Sequence, residues 1–173
     1  MIETKRLIIR YPNMKDLKDI YNFSKSKDVG PNAGWIEHET IKDTKVVLKY
    51  NISQKDVYAI EYKENNKVIG LISFLKQSVL NNEYELGYVL HKDYWDLGIM
   101  SEAISEFIKF VFKNFKVNTI ITGHSEDNIA SKRIILNNGF KFKYVDNNPK
   151  YENKNIKKVY MYELKNEGVD NNV

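Results

Sequence analysis

Two hydrophobic periods alternate along the chain, and the switches between them mark its elements. Short runs rich in β-branched and aromatic residues predict strands over Arg6–Tyr11, Val57–Tyr62, Val68–Leu75 and Glu83–Leu90. Three more follow at Val117–Thr122, Phe140–Val145 and Lys158–Leu164. Apolar residues at three- and four-residue spacing predict helices over Asn13–Lys25, about Glu39–Asn51, Ile99–Asn114 and Asn128–Asn137. The third helix is the strongest, with Ile99, Met100, Ala103, Ile104, Phe107, Ile108, Val111 and Phe112 on one face. Met100, Phe107 and Val111 are therefore expected in the core rather than as side-chain ligand contacts.

Breakers separate these runs. Val29–Trp35 contains two glycines and a proline and reads as loop, and Asn65-Asn66 reads as a turn. Gly139 is placed to end the last helix in the left-handed conformation. The order is β-α-α-β-β-β-α-β-α-β-β, a mixed α/β class without repeats or internal linkers. Residues 1–165 are expected to form a single domain, and Asn166–Val173, polar and without apolar period, a disordered tail.

Composition removes several function classes. The 173 residues include no cysteine, so disulfides, zinc-thiolate sites and an acyl-cysteine mechanism are excluded. His38, His91 and His124 show no metal-ligand spacing, and no metal is expected. The formal charge of +4 comes from scattered lysines. Nucleic-acid binding would want a basic stripe with a motif, and none is seen. No run approaches the roughly 18 apolar residues of a membrane span, and the start lacks a signal-peptide pattern. A cytoplasmic location is expected.

The candidate chemistry sits between Glu83 and Asn114. A strand ends, a short loop carries Gly98, and a long helix begins. A helix N-terminus presents unpaired N–H groups and about half a positive charge, a natural place for phosphate oxygens. Glycine lets the backbone approach such a ligand. Neither G-x-x-x-x-G-K-[ST] nor G-x-G-x-x-G occurs, which disfavours nucleoside triphosphates and dinucleotides.

Four blocks then fall in one order. Thr4-Lys5-Arg6-Leu7-Ile8-Ile9-Arg10 is similar to T-x-R-L-x-L-R, and Glu85-Leu86-Gly87-Tyr88 to E-[IL]-G-Y. Tyr94-Trp95-Asp96-Leu97-Gly98-Ile99-Met100-Ser101-Glu102-Ala103 is similar to Y-W-G-x-G-x-[AM]-[ST]-E-A, a variant of the pyrophosphate signature [QR]-x-x-G-x-[GA]. Asn128-Ile129-Ala130-Ser131-Lys132-Arg133 through Gly139-Phe140 is similar to N-x-x-S-x-R…G-F. Together they resemble the GNAT acetyltransferase superfamily in its RimJ/RimL-type branch, over about Thr4 to Leu164.

The resemblance implies a mostly antiparallel central sheet with flanking helices, acetyl-coenzyme A as cosubstrate and a primary amine as acceptor. It implies a splayed pair of strands that admits the pantetheine arm, held by backbone groups of Val89, Leu90 and His91. Backbone N–H groups of Asp96, Leu97, Gly98, Ile99, Met100 and Ser101 would hold the pyrophosphate. Glu85 is the candidate base, with Glu83 second; the other reading of Glu85 is a solvated carboxylate paired with a lysine. Many superfamily members carry a tyrosine where this chain has Ile135, and Ser131 is the branch's usual substitute for serving the leaving thiolate. Asn128 reads equally as a helix cap and as a pantetheine contact. Arg133, or Lys132, would pair with the ribose phosphate.

Asp96 stands where the branch has glycine, and Leu97 where it often has lysine, arginine or glutamine. A carboxylate beside a pyrophosphate is unfavourable unless it points to solvent. Trp95 is expected to pack under its loop, Tyr88 in the core, and Trp35 along the acceptor site. A homodimer is compatible with the sequence. The rival reading is a non-catalytic acyl-CoA-binding module.

Overall fold

The computed structural model describes residues 1–168. Its elements are β1 (Ile2–Glu3), β2 (Leu7–Arg10), α1 (Leu17–Ser24), α2 (Ile41–Gln54), β3 (Val57–Tyr62), β4 (Lys67–Ser78) and β5 (Glu83–Leu90), followed by α3 (Ile99–Asn114), β6 (Thr119–Ser125), α4 (Ile129–Asn137), β7 (Lys141–Asp146) and β8 (Val159–Lys165). The strands form one sheet in the order β1-β2-β3-β4-β5-β6-β8-β7. Every neighbour is antiparallel except β5–β6, which is parallel. That pair follows from connectivity: α3 lies between the two strands in sequence, and a parallel pair needs such a crossover.

Strand periodicity gives the sheet two apolar faces. Leu86 and Leu90 of β5 join Ile9, Ile60, Ile72, Phe107, Val111 and Ile135 in the main core under α3 and α4. Val89 and Leu71 face the other way, against Ile20, Phe23 and Leu48 of α1 and α2. Glu85 is therefore on the α1–α2 face and Tyr88 on the α3–α4 face, because side chains alternate along a strand.

The first helical stretch begins differently from its periodicity. Met14–Asp16 is a 3-10 turn, and α1 starts only at Leu17. Asn13 and Asp16 cap each other reciprocally, and Arg10 binds both Asp16 oxygens at 2.8 and 2.9 Å. These contacts tighten the first turn. The second helix starts later than its apolar pattern suggests, at Ile41, because Thr40 and Asp43 form a capping box. At the far end Asn166 bonds Asn118 and Val117, and Gly168 turns back on Asn166. Of the expected tail, Val169–Val173 lie outside the described residues. Among the described residues no helix is long and apolar enough to cross a membrane.

Candidate functional site

The sheet opens into a fork where its parallel pair stops. Glu83, Tyr84 and Glu85 pair with Thr119, Ile120 and Ile121, and there the ladder ends. Both strands continue, β5 held by β4 as far as Leu90 and β6 held by β8 as far as Ser125. Thr122 donates its hydroxyl to the Leu86 carbonyl at 2.8 Å, in place of the next ladder bond. Beyond it lies a cavity of about 520 Å³, lined by both fork edges and by the N-terminal turns of α3 and α4.

The backbone of β5 divides its groups between two sides. The His91 N–H donates to Ile69 at 2.7 Å, so His91 faces β4. Antiparallel pairing turns the groups of alternate residues the same way, so Val89 also faces β4. Tyr88 and Leu90 then face the fork. Of the three residues expected to bind through their backbones, Val89 and Leu90 line the cavity and His91 does not. The His91 ring instead meets Asn22 and Phe23. The Leu90 carbonyl is taken by Trp95 Nε1 at 2.8 Å, so the tryptophan ties its loop to the end of β5. Trp95 is 40% exposed and also lines the cavity.

The loop before α3 is shaped by two residues in the left-handed region, Asp96 at φ +59° and Gly98 at φ +69°. A Cβ on Gly98 would have open space, with its nearest neighbour, Arg6 Nη2, 3.8 Å away. The glycine is therefore required by backbone conformation and not by crowding. Gly98, Ile99, Met100 and Ser101 line the cavity, and the first N–H groups of α3 have no acceptor within the helix. Ile99 and Met100 bury their side chains in the core, leaving only backbone for a ligand. Leu97 is exposed, does not line the cavity, and gives its carbonyl to Arg6 Nη1 at 2.8 Å.

Arg6 braces this loop from the first strand block. Its Nε donates to Glu102 Oε2 at 2.7 Å and its backbone N–H to Glu102 Oε1 at 3.1 Å. Thr4 donates to the same Oε1. The Thr4–Arg10 and Tyr94–Ala103 blocks are thus one interlocked unit. Asp96 sits on the exposed rim, and its carboxylate makes no hydrogen bond among the described residues. Aspartate and asparagine both tolerate positive φ better than most residues. Asp96→Asn therefore removes the charge and keeps the loop. It is expected to tighten coenzyme A binding about two- to five-fold at low ionic strength, with the gain fading in salt. Equal affinities for both proteins at low and high salt, by calorimetry, would show that the carboxylate stands clear of the ligand.

Glu85 enters the cavity from the α1–α2 face, partly buried, with Gln77 Nε2 donating to it at 2.7 Å. Burial holds its pKa above the ordinary glutamate value. Glu83 lies outside the cavity, bound to Lys143 at 3.0 Å, and Lys143 also meets Glu163 at 3.2 Å. The lysine-paired carboxylate of the alternative reading is thus found at Glu83 and not at Glu85.

From the opposite face come Ser131 and Tyr88. Asn128 caps α4 by accepting from the Ser131 N–H at 3.0 Å, and it lines the cavity as well. Ser131 is buried, with its Oγ 2.7 Å from the Tyr88 hydroxyl. Burial pushes the Tyr88 phenol up to about 12, with the Ser131 hydrogen bond opposing. Arg133 lines the cavity and is exposed; Lys132 does not line it. His124 lines it too, but one ring nitrogen is against the Ser125 carbonyl and the other against Tyr162.

The side of the cavity near the Val29–Trp35 loop holds a residue the sequence did not single out. Tyr151, from the β7–β8 connection, lines the cavity, with its phenol raised by burial and by the charges of Glu85 and Asp146. It packs on Gly34, at φ +91°, where a Cβ would fall 2.8 Å from the ring. Asn153 fastens the same connection to Pro31 and Gly34, and Glu152 binds the Ile36 N–H. Trp35 folds back against Gly30 and His38 and does not line the cavity.

The family model described as an acetyltransferase (GNAT) domain matches residues 6–141. An uncharacterized N-acetyltransferase, YoaA, of Bacillus subtilis is 26% identical over 158 residues, covering 88% of this chain and 89% of that protein. A GNAT-family acetyltransferase structure from Bacillus anthracis superposes with a TM-score of 0.85 at 24% identity, covering 96% of this chain and 98% of the other. RimL, a ribosomal L7/L12 alpha-N-protein acetyltransferase in complex with coenzyme A, gives 0.81 at 19% identity, over 94% and 95%. At these identities the two structures speak for the fold.

Proposed function

We propose, for a chain that belongs to the GNAT acetyltransferase family, that it moves the acetyl group of acetyl-coenzyme A directly to a primary amine while both are bound. The observation that carries this reading is the division of the fork. A carboxylate with a raised pKa enters from one face, a buried hydroxyl pair from the other, and a helix N-terminus lies at the cavity's end.

These residues fit a coenzyme A thioester. Backbone N–H groups of Gly98, Ile99, Met100 and Ser101 take the pyrophosphate. Arg133 is the cation on the cavity wall for the ribose phosphate. The free groups of Tyr88 and Leu90, with the Asn128 amide, take the pantetheine. The amine enters beside Glu85 and Tyr151. Its ammonium gives one proton to Glu85, directly or through a water, the freed nitrogen attacks the carbonyl carbon, and a second proton passes from nitrogen to solvent. The C–S bond breaks, its electron pair stays on sulfur, and Ser131 donates a hydrogen bond to the thiolate.

A protein N-terminus, a lysine and a small-molecule amine all present the required primary amine. A panel covering the three classes, assayed for thiol release from acetyl-coenzyme A, tests the reading. Release that depends on one class identifies the acceptor. Tight coenzyme A binding without release over any amine would overturn catalysis in favour of a binding module.

A further inference from the structure

We infer that Tyr88 is a positioning residue for Ser131, holding the serine hydroxyl so that its proton is directed at the departing sulfur. The inference rests on the acetyl-transfer reading above. Ser131 is fixed twice: its N–H is held by the Asn128 cap, and its Oγ by the Tyr88 hydroxyl at 2.7 Å. Tyr88 is itself held from behind, because its ring packs against the main core. The pair joins β5 to α4 across the fork, and both residues line the cavity.

Two hydroxyls share two protons here, and two arrangements satisfy the geometry. In one, Tyr88 donates to Ser131 Oγ and the serine proton is free to point into the cavity. In the other, Ser131 donates to the phenol oxygen and Tyr88 donates to the Ser131 carbonyl, 3.3 Å away. A thiolate forming in the cavity is an acceptor, so it selects the first. Donation from tyrosine also polarises the serine O–H and strengthens the bond it makes.

The tyrosine does not surrender its proton. Its phenol is pushed up to about 12 by burial. An ordinary alkyl thiol titrates near 8.5, so net transfer from Tyr88 to the thiolate is unfavourable by roughly 10³-fold. Serine is a weaker acid still. The pair therefore supplies hydrogen bonds. Two protons leave the nitrogen, one to solvent by way of Glu85 and one to solvent directly, and the thiolate takes one back from solvent as coenzyme A departs. The N–C bond forms, the C–S bond breaks, and no further reactant is needed.

Tyr88→Phe removes only the hydroxyl and keeps the packed ring. It is expected to lower kcat by about 3- to 15-fold, the range of one neutral hydrogen bond. The KM for acetyl-coenzyme A should change less than about two-fold, because the bond serves the transition state. Adding Tyr88→Phe to Ser131→Ala should cause no further loss. An independent readout needs no acceptor: the pKa of the bound coenzyme A thiol, followed by the ultraviolet absorbance of the thiolate. It should lie below that of free coenzyme A and rise in Tyr88→Phe and in Ser131→Ala, with the double variant matching Ser131→Ala.

Losses that multiply in the double variant, a KM that rises as kcat falls, or a bound thiol moved by Ser131→Ala but not by Tyr88→Phe would each overturn the inference. Wild-type protein that binds coenzyme A but acetylates no amine overturns the catalytic reading alone, and the thiol titration still decides the pair. Protein that does not bind coenzyme A overturns both.

Discussion

Gly98→Val is expected to weaken coenzyme A binding by about 100-fold or more, close to 2.7 kcal/mol, while the protein stays folded. Gly98 sits at φ +69°, and a Cβ there would meet only Arg6 Nη2, at 3.8 Å. No core atom is displaced by a larger side chain. The damage is conformational: a β-branched residue resists the left-handed region, at roughly 1–3 kcal/mol. A loop relaxed out of that region turns its N–H groups away from the pyrophosphate. Fixed donors then lose their aim together. For a chain of this size, about 1 kcal/mol corresponds to roughly 2–4 °C in Tm, so thermal unfolding should shift modestly while calorimetry records a large loss of affinity. Gly98→Ala, with less steric demand, should fall between the two. Unchanged affinity in folded Gly98→Val would remove this loop from the site.

What the sequence reveals about this site depends on how local each contact is. Ile99–Asn114 forms a helix with the expected bounds because its apolar stripe is complete and the core absorbs it. Val57–Tyr62 and Glu83–Leu90 also match, each being a run whose pattern is settled within the strand. The α2 start is legible in principle, since Thr40 and Asp43 have capping-box spacing. Glu83 and Glu85 share a strand face by period two, and nothing local separates them. What separates them is Lys143, on a strand at the far edge of the sheet, and the point where β5 and β6 part. The period of β5 puts Tyr88 in the core, correctly for its ring. Its hydroxyl reaches Ser131, 43 positions away, only because α4 packs over the fork. Tyr151 lies in a polar connection with no period at all, and its wall position follows from bonds to the loop near Gly34. Leu97 and His91 fall within or beside matching blocks, yet their groups serve Arg6 and Ile69. A block match names a segment; which atoms of it face the cavity depends on strand register and loop dihedrals.

Glu85→Gln is expected to lower kcat toward the lower end of the 10²–10⁴-fold range typical of general acid–base groups, about 100-fold. A bound water and bulk base replace part of what the carboxylate does. The pH dependence is the sharper test. Burial holds Glu85 above the ordinary value of 4.5 in the free protein, so kcat/KM should rise with pH through that raised pKa. Glu85→Gln should lose this acidic limb, whereas Ser131→Ala should keep it, since serine does not titrate there. The assay needs an acceptor whose own pKa lies well above the working pH, because an amine already neutral requires no base. Stability should move in the opposite sense. A carboxyl with a raised folded-state pKa stabilises the fold fully below its unfolded value, and that contribution is lost as pH rises through the folded value. Above that folded value the ionised Glu85 is thus a burden on the fold. Glutamine keeps an oxygen for the Gln77 donor and carries no charge. Glu85→Gln should therefore match or exceed the wild-type Tm above the folded value, and the difference should shrink as the pH falls through that value and be gone below 4.5. A variant that loses both rate and stability would mark Glu85 as a structural carboxylate. An unchanged rate and profile would pass the role of base to another group.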